Sequence, residues 1–187
     1  MNTVRSLNRV KWSMDPSHSQ IGFKVKYLMV TNIRGEFKDY KAGIISTGED
    51  FSNAEIDISI HPASIDTGDA MRNTHLMGPE FFDVEQFQAI DFKANRFVRT
   101  NRSEYVMHGN LTIKDITKKI KLDVEFNGMV RDPWGVKRAA FVVTGKISRD
   151  DFGLTWNKAL EMGGLMVGEE VDIICEVQLI QQSESKI

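Results

Sequence analysis

Apolar and polar side chains alternate along most of this chain. In IGFKVKY, Ile21, Phe23, Val25 and Tyr27 share one face, and Lys24 and Lys26 share the other. AEIDISI sets Ala54, Ile56, Ile58 and Ile60 against Glu55, Asp57 and Ser59. AIDFKANRF sets Ile90, Phe92 and Ala94 against Asp91 and Lys93. The same rhythm puts Tyr105, Met107, Gly109, Leu111 and Ile113 on one side of EYVMHGNLTI, and Ile120, Leu122, Val124 and Phe126 on one side of KKIKLDVEF. It returns in EEVDIICEVQL with Val171, Ile173, Cys175, Val177 and Leu179. A period of two with one dry face is the mark of antiparallel strands. Two further segments read as strands. IRGEFKDYKAGII is a strand pair with Gly35 and Gly43 as bends or bulges, and Arg138–Ser148 is apolar on both faces around Phe141–Val143.

Turn-forming clusters such as STGED, TNRSE and RDPWG separate these segments. Many short strands with regular turns predict a sandwich or barrel. Roughly eight strands can close around one small ligand, and closure removes the unpaired edges. One stretch, GDAMRNTHLMGPEFFDV, breaks the alternation. Asp69 can cap a helix, Met71, Thr74, His75 and Leu76 follow at helical spacing, and Gly78 and Pro79 end it. Pro79 can start a second short turn carrying Phe81 and Phe82. The expectation is therefore an all-β, eight-stranded antiparallel barrel, with one or two short helices near residues 69–84 covering one end.

The 187 residues suit one domain, residues 1–187, with flexible ends expected at 1–11 and 181–187. Lys and Arg total 24 and Asp and Glu 26, so the net charge of -2 offers no electrostatic footprint for nucleic acid or an anionic membrane. Cys175 is the only cysteine, which excludes an internal disulfide. No apolar run reaches the roughly 20 residues of a membrane helix. Arg5, Arg9 and Lys11 interrupt the N-terminal stretch, so no signal peptide is read and a cytoplasmic location is expected. His18, His61, His75 and His108 lack ligand spacing, and no nucleophile elbow is present, so neither a metal nor a cofactor is expected.

Four pieces carry a resemblance: DPSHSQIGFKVKYLMVTNIRGEFKDYKAGI, SIDTGDAMRNTHLMGPEFFDVEQFQAIDFKA, GNLTIKDITKKIKLDVEFNG and ISRDDFG. In order and spacing they resemble the YceI-like family of lipid-binding proteins from Trp12 to about Leu179. The resemblance implies a lipocalin-like barrel that holds a long isoprenoid or similar amphiphile, and a homodimer. Asn73 stands where the family usually has an acidic residue after the arginine.

Ile21, Phe23, Val25, Ile58, Ile60, Phe92, Leu111, Val143 and Ile173 are the candidate apolar wall; the alternative is an ordinary packed core. FGLTWNKALEMGGLMVG adds Trp156, Met162, Leu165 and Met166, either as a gate loosened by Gly163 and Gly164 or as a surface loop. Phe81 and Phe82 either cap the cavity or staple the helix to the barrel. His18 either meets a ligand head or ties the strand entry. Arg72 and His75 share a helix face and either meet the head or pair with Asp66 and Asp69. Arg149 and Asp150 read as a turn or a strand-end ion pair. The expected function is sequestration or carriage of a lipid without chemistry. The alternatives are an enzyme using His18 or the Arg72/His75 pair in the same cavity, and a solid barrel acting as an interaction or stress-response module.

Overall fold

The computed structural model describes residues 8–183. Its strands are β1 (Arg9–Met14), β2 (Gln20–Tyr27), β3 (Thr31–Phe37), β4 (Tyr40–Thr47), β5 (Asp50–Ile60), β6 (Ile65–Asp66), β7 (Ile90–Arg99), β8 (Glu104–Ile113), β9 (Ile116–Arg131), β10 (Lys137–Ser148) and β11 (Val167–Gln181). One α-helix, α1 (Ala70–Met77), lies between β6 and β7.

The eleven strands make eight ribbons, because the first three ribbons are bent. β1 and β2 lie in line along β11, with Trp12 opposite Gln181 and Ile21 opposite Cys175. β3 and β4 lie in line opposite them, with Phe37 across from Ile21 and Ile44 across from Trp12. β5 and β6 follow, pairing Ile60 with Tyr40 and Ile65 with Phe37. Each bend falls where ladder pairing is interrupted, at Asp15–Ser19, at Lys38–Asp39 and at the 3₁₀ turn Pro62–Ser64. Each ribbon then pairs with its sequence neighbours, and β11 closes on β1 and β2. This is a closed, eight-stranded, up-and-down antiparallel barrel of lipocalin type.

The dry faces read from the alternation point inward. Tyr105, Met107, Leu111 and Ile113 of β8 and Leu122 and Val124 of β9 are buried, while Lys119, Lys121, Asp123 and Glu125 face water. The ambiguous β10 resolves the same way, with Ala139 and Phe141 buried inward. The inside is not uniform along its depth. At the end where β1 begins, aromatic rings plug the barrel: Trp12 lies 5.1 Å from Phe51, and Phe141 lies 5.0 Å from Phe51 and 5.1 Å from Phe126. The Trp12 indole N–H donates to Ser46 Oγ at 2.8 Å, so this plug leaves no orphan donor.

Two expectations need correction. Residues 9–11 and 181, assigned to flexible ends, belong to β1 and β11, pairing from Arg9↔Thr47 and at Trp12↔Gln181; residues 1–7 and 184–187 lie outside the described part. Of the one or two short helices expected, one forms, and after Pro79 backbone bonds such as Phe82 N–H to Leu76 O and Val84 N–H to Met77 O fold the segment back on α1 as turns. Gly35 and Gly43 are not bulges; both sit in register, opposite Phe23 and Asp57. A Cβ on Gly35 would lie 2.3 Å from the Phe23 ring, so Gly35 makes room for that ring.

Gly109 has the same task for Phe92 and adds a backbone constraint. A Cβ there would meet the ring at 2.5 Å and Lys93 O at 2.6 Å. Gly109→Val is expected to destabilise the barrel by about 3 kcal/mol, the upper part of the overpacking range, because a carbonyl in a ladder cannot retreat. Gly43→Val, with nothing within 4 Å of its Cβ, is the matched control and should cost far less. Denaturant unfolding of the two variants checks the difference.

Candidate functional site

Above the aromatic plug the barrel is hollow. The cavity, which opens to solvent, measures about 230 Å³; counted with the crevices between side chains and the mouth, the space is about 1320 Å³. The wall is apolar around its whole circumference. All nine wall candidates border the void: Ile21, Phe23 and Val25 of β2, Ile58 and Ile60 of β5, Phe92 of β7, Leu111 of β8, Val143 of β10 and Ile173 of β11. Further lining comes from the same inward faces, including Met107, Ile120, Leu122 and Val177. The two readings left open for these positions, cavity wall and packed core, divide by depth. The inward residues near the β1 end pack against one another, and those nearer α1 surround a void.

The helical segment closes this end. Asp69 caps α1 by accepting the Arg72 backbone N–H at 3.0 Å, and Gly78 ends it. Leu76, Phe81 and Phe82 reach the cavity, and Phe82 meets Phe37 edge-on at 5.8 Å, so Phe82 both caps and staples. The polar residues of the helix turn elsewhere. Arg72 donates from Nε to Thr67 Oγ1 at 2.8 Å and from Nη2 to Thr67 O at 2.7 Å, lashing the helix to the loop before it. It pairs with neither Asp66 nor Asp69 through its side chain; Asn73 takes the first, donating to Asp66 at 3.3 Å while accepting the Thr67 N–H at 2.9 Å. His75 lies 2.7 Å from Glu80 and stacks edge-on against Phe81 and Trp156.

The remaining candidates sit apart from the void. His18 is mostly exposed and lies 2.9 Å from Asp15, which also receives Arg138 Nη1 at 2.8 Å and the Ser17 N–H at 3.0 Å. Burial alone would raise the Asp15 pKa, but these bonds outweigh it and hold the carboxyl below its ordinary value. His18 therefore ties the bend between β1 and β2. Trp156 bridges the helical lid and the segment after β10. Met162 is fully exposed and Leu165 half-exposed, because the left-handed Gly163 and Gly164 turn this tip outward. Met166 is fixed through its backbone, its N–H bonded to Lys158 O and its C=O to the Leu28 N–H. None of His18, Arg72, His75, Trp156, Met162, Leu165 and Met166 borders the cavity.

Arg149 heads a short turn, as one of its two readings has it, but the sequence did not place it in the site. Among the described residues it is the only charged side chain on the wall, and its side chain is 6% exposed. Its guanidinium is not in a close ion pair, since Asp150 lies 4.0 Å away. It donates instead to the carbonyls of Gly168 at 2.8 Å, Trp156 at 2.9 Å, Val167 at 3.3 Å and Leu154. Burial lowers its pKa from the ordinary arginine value, and it stays charged. Nothing in the pattern around ISRDDFG distinguishes it from a surface arginine. Among the described residues no buried side-chain polar atom lacks a partner, and no group of three His, Cys, Asp or Glu could hold a metal ion.

Cys175 borders the void, and burial pushes its thiol up to about 11. At pH 8 roughly one thiol in a thousand is then ionised, against about one in four for an ordinary cysteine. Iodoacetamide should label the folded protein at least tenfold more slowly than the urea-unfolded chain. The sign for stability follows: the contribution is intact below about pH 8.5 and is lost as pH rises toward 11, where the unfolded chain ionises first. Cys175→Ala should flatten that part of the stability profile relative to wild type.

Comparisons with known proteins agree with this geometry. A family model described as YceI-like domain matches residues 12–179. The UPF0312 protein SAS2572 of Staphylococcus aureus strain MSSA476 is 37% identical over 161 residues, covering 86% of this chain and 91% of that protein. Among solved structures, the Campylobacter jejuni YceI protein superposes with a TM-score of 0.72 at 28% identity, covering 84% of this chain and 90% of that one. A domain from Saccharophagus degradans, described as a polyisoprenoid binding domain implicated in plant cell wall breakdown, superposes with a TM-score of 0.69 at 14% identity, covering 91% and 98%.

Proposed function

The chain belongs to the family of YceI-like domains, and from that premise we propose that it binds a long-chain isoprenoid or similar amphiphile inside the barrel, as a carrier or store, without chemistry. The single observation that carries this reading is the apolar void itself. An apolar cavity of about 230 Å³ left empty would cost on the order of 5 kcal/mol, a large part of a domain's net stability. Water gains little there, since the wall supplies almost no hydrogen-bonding partners. An apolar chain repairs the deficit, each buried methylene contributing about 0.8 kcal/mol. The likeness to the Saccharophagus degradans domain supports the same architecture, and the choice of ligand rests on the wall of this chain.

The arrangement favours a tail-first guest. The aromatic plug sets how deep the tail can go, and shape does most of the selecting among tails, since the Arg149 guanidinium on the wall is turned to backbone carbonyls. A polar head stays at the mouth. The enzyme alternative loses its support at the cavity, because His18, Arg72 and His75 all point to other partners.

The test is organic extraction of the purified protein followed by mass spectrometry, with polyprenol added back to the stripped protein. About one lipid per chain, and a melting temperature that rises with polyprenol concentration, are expected. A protein that purifies empty and does not respond to added polyprenol overturns the reading.

A further inference from the structure

Two loop tips at the end that carries the helical lid bear apolar side chains that the barrel does not use. The turn between β2 and β3 exposes Leu28, Met29 and Val30, the last of these 77% exposed. Beside it, the tip before β11 exposes Met162 and Leu165. The two tips are joined: the Leu28 N–H bonds to Met166 O at 2.7 Å, and Met29 packs over Gly164. They also adjoin the cavity, since Val167 borders it and pairs with Tyr27, the residue before Leu28.

The first tip has an unfavourable sequence for its shape. Leu28 and Met29 both have left-handed φ, 51° and 62°. Tight hairpins of this kind favour Asn-Gly, because a Cβ is strained there. Large apolar residues at these positions neither help the turn nor enter the core. Exposed Lys26 and Lys158 adjoin the tips, and exposed Arg34 follows on β3, none with a carboxylate within 4.0 Å among the described residues; Glu161 lies on the second tip.

We infer that this end of the barrel docks on a lipid bilayer, with the two tips inserted to the depth of the headgroups and the three cations over anionic lipid. The inference rests on the lipid-binding reading, since a tail leaving or entering the cavity must pass this end. Five side chains on two tips fall well short of the roughly 20–30 residues a side of a stable protein interface, whereas shallow insertion into a bilayer needs only such tips with a basic collar. Clusters of exposed apolar residues on a soluble domain mark such contacts.

The experiment is flotation of the full chain with phosphatidylcholine vesicles, with and without about one third phosphatidylglycerol, at low and high salt. Wild type should float with both, more with phosphatidylglycerol, and the excess should vanish in high salt. The double variant Leu28→Asn with Met29→Gly should melt at the same or a higher temperature yet float at least fivefold less, which separates docking from folding. Val143→Trp, which narrows the cavity, should float like wild type, so failure of the docking and failure of the lipid-binding reading give different patterns. No flotation of wild type, undiminished flotation of the double variant, or a self-association in sedimentation that the double variant abolishes without any vesicle binding would each overturn the inference.

Discussion

Val143→Trp is expected to leave the barrel folded and to weaken lipid binding about 30-fold, the equivalent of two to three methylene contacts at about 0.8 kcal/mol each. Val143 lies at mid-height on β10, across from Cys175 on β11 and Val124 on β9, and it borders the void. An indole there grows into empty space, so it displaces guest and not protein. In a tightly packed interior the same substitution would force neighbours off their rotamers and cost stability of about 1–3 kcal/mol or more. The two outcomes point in opposite directions. A melting temperature near wild type with little retained lipid supports a hollow barrel. A large loss of stability with lipid content unchanged shows that the guest lies elsewhere.

The alternation made most of the barrel legible because a strand with one wet face leaves a period of two in its sequence. It also showed which side chains point inward. It carried no information on depth. Trp12, Phe51, Phe126 and Phe141 face inward as Ile58, Val143 and Ile173 do, yet the first group fills its end and the second surrounds a void. The difference lies in ring volume summed across four strands, which no single segment displays. β1 shows a related blind spot. Val10, Trp12 and Met14 alternate with Arg9, Lys11 and Ser13, but the break at Asp15–Ser19 made a bent ribbon look like a tail followed by a strand.

The polar and flexible candidates were harder, for another reason. His18, Arg72 and His75 are residue types that serve ligand heads, and composition alone cannot tell such a role from local bonding. Here Asp15, Thr67 and Glu80 lie within reach in the chain and satisfy them first. Met162 and Leu165 read equally as a gate or a surface loop; the left-handed glycines between them turn the tip outward, as the surface-loop reading has it. Arg149 sits at a turn, as one of its two readings has it, but no signal in the sequence shows that its side chain lies inside.

Arg149→Met should be strongly destabilising, costing about 3 kcal/mol, because it takes their donor from the buried Leu154 carbonyl and the part-buried carbonyls of Trp156 and Gly168, while Val167 O keeps the Asn157 amide. The side chain holds one strap at four points: Leu154 and Trp156 as the chain leaves β10, and Val167 and Gly168 as it enters β11. A planar guanidinium can span these acceptors, whereas the three donors of a lysine ammonium diverge from a single point, so Arg149→Lys should recover only part of the loss. The strap carries Trp156, which packs on His75 and Phe81 of the lid segment, and it runs on to the Met162 tip. Loosening it should therefore open the mouth and leave the plug intact. In hydrogen exchange, Arg149→Met should lose protection at residues 154–168 while β8 and β9 exchange as in wild type, and bound lipid should dissociate faster. Unchanged protection in the strap would mean that the four carbonyls are held by their own backbone geometry, and that the cation serves something other than the closure of the mouth.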